Sequence, residues 1–256
     1  MSGARPAPGV GAKIGAVVLA AGLGSRLRPY TEADPKCLME VGGRSIALRA
    51  RNALARVDAA PVVFVVGYRA AQVRAELGSS GAEFAVNEDF AATGTAWSAA
   101  MGLRQLAEST DVDRVLLIEG DVLFDDRLLD TLLGTTEPDA TLVEPWRPEI
   151  DGSTVTTSPG QMVRSWTHTS ERGEDFDPAN CWKLVNLHLL SRETAFGELL
   201  PAAAEPAHRQ RSLEYVLGRT RSAHGGVRAV PTDGLRWVEV DDAKDLERAR
   251  EMFGGP

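Results

Sequence analysis

Ile14-Gly-Ala-Val-Val-Leu-Ala-Ala-Gly-Leu-Gly-Ser-Arg-Leu-Arg-Pro29 is the stretch that decides the fold. Its first seven residues are a short apolar run of the kind buried on both faces of a sheet, and the run stops in small residues. Small residues after a buried strand let the N–H groups of a tight turn close on a polyanion, while Arg26, Arg28 and the nearby Lys36 add positive charge. The loop therefore suits a triphosphate. It is not a Walker loop, because no Gly-Lys-Ser/Thr follows at the required spacing, and the dinucleotide pattern fails where Leu27 replaces a third glycine.

Outward from that strand, Pro61–Gly67, Ala82–Asn87, Arg114–Glu119 and Ala140–Glu144 read as further buried strands. Between them Ser45–Val57, Ala70–Leu77, Thr95–Ala107 and Asp126–Leu133 space their apolar residues at three and four, as helices do. The alternation predicts an α/β fold: a Rossmann-like, mostly parallel sheet with helices on both faces. From Pro145 to Pro178 the composition turns to Pro, Gly, Asp, Ser and Thr around Ser153–Thr157 and Gln161–Thr167, which predicts a small β-hairpin or lid inserted over 145–180. Leu184–Leu190 and Leu235–Val240 read as two more strands, with helices near Glu193–Leu200, Arg211–Leu217 and Asp242–Met252. Residues 1–12 read as a disordered tail and 13–256 as a single domain.

Composition narrows the function. At roughly 100 to 200 residues per domain, 256 residues can bury a sizeable core without cross-links, and two cysteines, Cys37 and Cys181, exclude a disulfide scaffold or zinc ribbon. Acids outnumber bases by 36 to 28, and the net charge of −8 argues against a nucleic-acid or anionic-membrane surface. No apolar run approaches the about 18 residues of a membrane span, and Ser2–Ala12 lacks the apolar core of a signal peptide. A cytoplasmic protein acting on small molecules is expected, with a homodimer left open.

Two acidic segments add chemistry. Leu116-Leu-Ile-Glu-Gly-Asp121-Val-Leu-Phe is a buried strand ending on carboxylates, at the strand terminus where α/β sheets hold ligands. Trp237-Val-Glu-Val-Asp241-Asp-Ala-Lys-Asp-Leu supplies the second acid that a cation among phosphates needs, with Asp242 as a helix N-cap. Asn87, followed by Gly94, Thr95 and Ser98, offers amides and hydroxyls suited to a base edge and ribose. The four histidines are scattered, and no Ser-His-Asp set or histidine metal site can be read.

Leu19–Leu27 followed by Pro35-Lys36 resembles the signature of the sugar-nucleotidyltransferase superfamily, the MobA-like NTP transferases, and the resemblance runs from about Ile14 to Phe253. It implies that Ala20, Ala21, Gly22, Gly24 and Ser25 hold the triphosphate, with Arg26 and Lys36 catalytic and Lys36 stabilising charge at the α-phosphate. It implies Mg²⁺ on Asp121 and Asp241, with Glu119 behind the first and Glu239 as an alternative ligand. Asn87, an aromatic residue and a later Ser look like the phosphocholine and phosphonate cytidylyltransferase branch, whereas Gly94-Thr95-Ala looks like sugar-1-phosphate enzymes that use other bases. Glu144–Thr156 and Cys181–His188 resemble acceptor segments of the first branch. Lys183 is thereby expected on the acceptor phosphate, with Glu144, Trp146, Asp151 and Trp182 enclosing a cationic or polar tail. The implied reaction joins a small phosphate or phosphonate to the α-phosphate of an NTP, CTP favoured, and releases pyrophosphate. The alternatives are a sugar-1-phosphate enzyme using UTP, GTP or dTTP, and a nucleotide sensor without catalysis. The joint presence of Arg26, Lys36, Asp121 and Asp241 counts against the sensor.

Overall fold

A computed structural model describes residues 11–109, 111–150, 152–173, 176–220 and 226–255. The expected tail, apart from Gly11 and Ala12, and Asp151 fall outside them. In chain order the elements begin with β1 (Ile14–Ala20), a small hairpin of β2 (Glu40–Val41) and β3 (Arg44–Ser45), α1 (Ile46–Arg56), β4 (Val62–Val66), α2 (Ala70–Leu77), β5 (Glu83–Val86) and α3 (Thr95–Leu106). There follow β6 (Arg114–Glu119), β7 (Val122–Phe124), α4 (Arg127–Leu133), β8 (Asp139–Pro145), β9 (Thr154–Thr157), β10 (Val163–Thr167) and β11 (Cys181–Ser191). A π-helical stretch, Glu193–Leu199, runs into α5 (Leu200–Ala203), and α6 (Leu213–Leu217), β12 (Val227–Pro231), β13 (Trp237–Glu239) and α7 (Ala243–Phe253) complete the chain.

Nine of these strands form one sheet, with the path β10-β9-β11-β6-β1-β4-β5 and with β8 and β12 continuing on the other edge of β11. β1 pairs in parallel with both β4 and β6, β4 with β5, and β8 with β12. β11 runs antiparallel to β6, β8 and β9, and β10 antiparallel to β9, so only β10 and β11 oppose the common direction. The sheet is therefore mostly parallel, as the apolar runs of β1, β4 and β6 require: Ala16 to Val18, Val63 to Val66 and Val115 to Ile118 have no exposed surface, with helices covering both faces.

Three departures from the sequence reading bear on the site. Trp237–Glu239 does not join the main sheet but pairs antiparallel with β7, which the reading missed because Gly120 and Asp121 separate it from β6 by only two residues. β12 was also missed, since Arg228 and the flanking Pro231 interrupt its apolar pattern. The strand expected at Leu184–Leu190 extends back to Cys181, past a two-residue bulge. Leu184 pairs with Val143 and His188 with Thr141, so four residues of β11 run against two of β8, and Asn186 takes a left-handed φ of 63°. The expected hairpin in the 145–180 insertion is present as β9 and β10.

A separate cluster ties the two ends of the chain together. Leu27, behind the Gly-rich loop, packs in one buried group with Val41, Ile46, Leu123, Val238, Val240 and Leu246. The residues on either side of these anchors, Arg26 and Asp241, are thereby brought to one place from opposite ends of the sequence.

Candidate active site

Parallel strands leave their carboxyl ends along one edge, and the cleft lies there. After β1 the chain enters the turn with Gly24 at φ 62°, and a Cβ on that residue would come within 2.9 Å of the Lys36 Cβ. Glycine is thus required both for the backbone and for the approach of the lysine. The Gly24 carbonyl accepts a hydrogen bond from the Thr31 hydroxyl (2.8 Å), which fixes the turn against the segment leading to Lys36.

Lys36 is the hub. Its Nζ lies 2.7 Å from Asp121 Oδ2 and 2.6 Å from Asp241 Oδ1, and the Arg26 guanidinium also reaches Asp241 Oδ1 at 2.8 Å. Burial opposes the charge on Lys36, but the two carboxylates outweigh it and hold the ammonium above the ordinary lysine range. Asp241 responds in the opposite sense: burial alone would raise it, yet Lys36, Arg26 and Lys183 together bring its carboxyl below the usual range. The backbone locks the pair together, since Val240 N donates to the Asp121 carbonyl (3.0 Å). Asp242 caps α7 as expected, accepting from Lys244 N and Asp245 N while Asp245 accepts from the Asp241 and Asp242 amides.

The carboxylates that converge are not the expected pair: Asp121 is among them and Asp241 is not. Single oxygens of Glu119, Asp121 and Glu239 lie within 4.8 Å of one another. Asp121 Oδ1 is buried without a hydrogen-bond partner, an orphaned acceptor of the kind a hard divalent cation satisfies. Glu119 is raised well above the normal carboxyl range by burial, then by Glu214, Asp121 and Glu239. Burial likewise raises Glu239, against the pull of Lys183.

The remaining expected residues divide. Ala20, Gly22, Gly24, Lys36 and Thr95 border a cavity of about 110 Å³ at the end of β1, while Ala21 turns its carbonyl to the Tyr68 amide and Ser25 is exposed. Arg26, Lys36, Thr95, Asp121 and Asp241 also line the main cleft of about 520 Å³. Asn87 and Ser98 do not reach either space: Asn87 is 1 % exposed and its Nδ2 donates to Thr93 Oγ1 (2.9 Å) and Ser98 Oγ (3.0 Å). Gly94 donates its N–H to the Arg209 carbonyl (2.9 Å), and a Cβ would collide with the Arg211 carbonyl, so this glycine serves a backbone crossing rather than a base.

On the acceptor side the structure corrects the expected enclosure. Adjacent strand residues point to opposite faces, so Trp182 and Lys183 cannot share a pocket. Trp182 packs with Val143, Val155 and Leu184, whereas Lys183 is buried and gives its ammonium to Glu239 (2.9 Å) and to the Leu184 carbonyl (2.7 Å). It borders a cavity of about 60 Å³ beside the main cleft, with Trp237 and Asp241. Glu144 is taken up by Arg147 (2.9 Å) and the Thr232 hydroxyl, and Trp146 meets the Phe176 ring edge-on at 5.9 Å. The residues that do face the main cleft there include Gly152, Ser153, His168 and Thr169 of the insertion with Asn186, Ser212 and Glu214, and none was singled out from sequence as a site residue.

Residues 16–229 match the model of the MobA-like NTP transferase domain. This chain belongs to that family. Within it, the CMP-5'-(3-aminopropyl)phosphonate synthase of Streptomyces rubellomurinus is 33 % identical over 250 residues, which are 94 % of this chain and 39 % of the relative. The chain thus spans less than half the length of that protein. Two solved structures share the fold: the CTP:phosphocholine cytidylyltransferase of Streptococcus pneumoniae (TM-score 0.75, 16 % identity, 94 % of this chain and 99 % of that one) and the inositol-1-phosphate CTP transferase of T. maritima (TM-score 0.74, 21 % identity, 95 % and 96 %). Among the described residues no helix is long and apolar enough to cross a membrane.

Proposed function

We propose that this chain transfers a nucleotidyl group from an NTP, CTP favoured, to the oxyanion of a small phosphate or phosphonate acceptor, with release of pyrophosphate. The observation that carries the reading is the placement of Lys36, at the mouth of the β1 loop, between Asp121 and Asp241. A non-catalytic nucleotide sensor has no use for that arrangement. The acceptor arrives already deprotonated, so no general base is needed and the task is alignment and neutralisation of charge. The loop from Ala20 to Ser25 receives the triphosphate, and Arg26 and Lys36 exchange carboxylate partners for phosphate oxygens.

Asp121 and Asp241 would hold a magnesium ion, with Glu239 within reach of Asp121, and the unpartnered Asp121 Oδ1 fits such an ion. When bound, the ion would neutralise charge on the phosphates. CTP is favoured by the resemblance to the aminopropylphosphonate synthase. Pyrophosphate release measured across NTPs and acceptors tests the reading: CTP with a small phosphonate or phosphate ester should give the highest kcat/KM. A higher value for any NTP with a hexose 1-phosphate would move the chain to the sugar branch.

A further inference from the structure

Two polar groups lining the main cleft are left without a partner. Among the described residues it presents five carboxylates, Glu119, Asp121, Glu214, Glu239 and Asp241. Lys36 with Arg26 answers Asp121 and Asp241, and Lys183 answers Glu239. Glu119 receives only the Asn186 amide, Nδ2 to Oε2 at 3.1 Å. Glu214 is 6 % exposed and, among the described residues, has neither a hydrogen-bond nor an ion-pair partner. Asn186 Oδ1 is also buried without a partner.

These groups share one side of the cleft. Asn186 lies in the β11 bulge, at a left-handed φ of 63°, and reaches Glu119 at the end of the neighbouring β6. Glu214 comes from the first turn of α6, which packs against α3. A buried acid with no partner is costly; burial and the neighbouring acids favour a proton on Glu119, and Glu214 is left with no counter-charge of its own.

We propose that Glu214, Glu119 and Asn186 Oδ1 form a subsite for a primary ammonium group carried by the acceptor, an assignment that rests on the transfer reaction proposed above. Three acceptor groups match the three N–H donors of an ammonium. Sugar hydroxyls would supply hydrogen bonds but leave the Glu214 carboxylate without a counter-charge. A quaternary ammonium has no N–H to give, and the tryptophans that would cage it, Trp146 and Trp182, are engaged elsewhere. The acceptor thus has an anion at one end, for the reaction, and a primary amine at the other.

The test compares 3-aminopropylphosphonate with its uncharged isostere butylphosphonate and with the N-trimethylated analogue, each with CTP and the full chain, by pyrophosphate release. The wild-type protein should favour the primary amine by roughly 100-fold or more in kcat/KM, as sites built to pair a substrate N–H do. Glu214→Gln, close to isosteric, should raise the KM of the amine roughly 10- to 100-fold and so largely erase its preference over butylphosphonate. Equal use of the three acceptors by the wild-type protein, which needs no variant, overturns the subsite while leaving the transfer reaction standing, as does an equal loss on all three in Glu214→Gln. Pyrophosphate release only with hexose 1-phosphates also overturns it. If no NTP and acceptor together release pyrophosphate, the transfer reaction itself falls, and the subsite with it.

Discussion

Lys36 and Lys183 both lie against carboxylates at the same edge of the sheet, yet they are built in opposite ways. Lys36 sits on a loop after β1, keeps 14 % of its side chain open to the cleft, and touches two acids that arrive from β6–β7 and from the start of α7. Lys183 is in the body of β11, 1 % exposed, closed in by Gly152, and bonded to one acid and one carbonyl. A charge on a loop with two competing partners can leave them for a ligand. A charge zipped into a strand cannot leave without unfolding its surroundings, so it serves by holding Glu239 in place. Similar chemistry at similar depth therefore has different uses, and the difference lies in the backbone that carries each side chain.

The contrast can be broken most severely at the acids. Asp121→Asn and Asp241→Asn should each remove Mg²⁺-dependent pyrophosphate release down to background, and the double variant should be hardly worse than either, because both serve one cation. Losses that multiply, or activity that persists in excess chelator, would show that the two acids act separately.

At the lysines the two readouts should part company. Lys183→Ala leaves Glu239 buried without its counter-charge and should cost about 3 to 5 kcal/mol of stability in denaturant melts, much of it recovered by a Lys183→Met, Glu239→Gln double variant. Lys36→Ala should instead cost about 2 to 4 kcal/mol of transition-state stabilisation in kcat/KM, with the unfolding midpoint little changed. A Lys183→Ala protein of normal stability but raised acceptor KM would return that lysine to the acceptor phosphate.

The last readout is a pH slope from the β11 side. Burial lowers the His188 imidazole from 6.5 to about 3, with Thr141 Oγ1 2.9 Å from Nδ1 and Nε2 unpartnered. The unfolded chain takes up the proton first, so stability falls as pH drops from 6.5 toward 3, by up to about 1.4 kcal/mol per pH unit. His188→Asn, which cannot titrate, should show a correspondingly flatter loss over that window in melts at stepped pH, and an unchanged slope would mean that His188 is protonated in the folded protein.

The β1 turn, the acid after β6 and the cap of α7 were readable because their parts are local. A buried strand, its glycine turn, an acid at a strand end and a capped final helix are each contained within about a dozen residues, and the structure assembles them as the pattern suggests. Lys36 meeting Asp241 was accessible only through the family resemblance. The other side of the cleft is made by tertiary packing. Asn186 reaches Glu119 because β11 runs back along β6, and Glu214 joins them because α6 docks on α3; neither Asn186 nor Glu214 stands in a pattern that announces it. Lys183 and Trp182 misled the reading because strand alternation, applied to neighbours, separates what a sequence motif writes side by side.

The detour in β11 is two residues long rather than one, and that parity matters beyond the site. An even insertion leaves every side chain on its own face, so Leu187–Ser191 stay fastened to β6 while the Cys181–Asn186 tip follows β8 and β9. The strand acts as a fixed shaft with an adjustable tip. Substitutions in the tip can reshape the lining of the cleft without loosening the shaft, which lets that lining change while the fold and the β1 loop are kept.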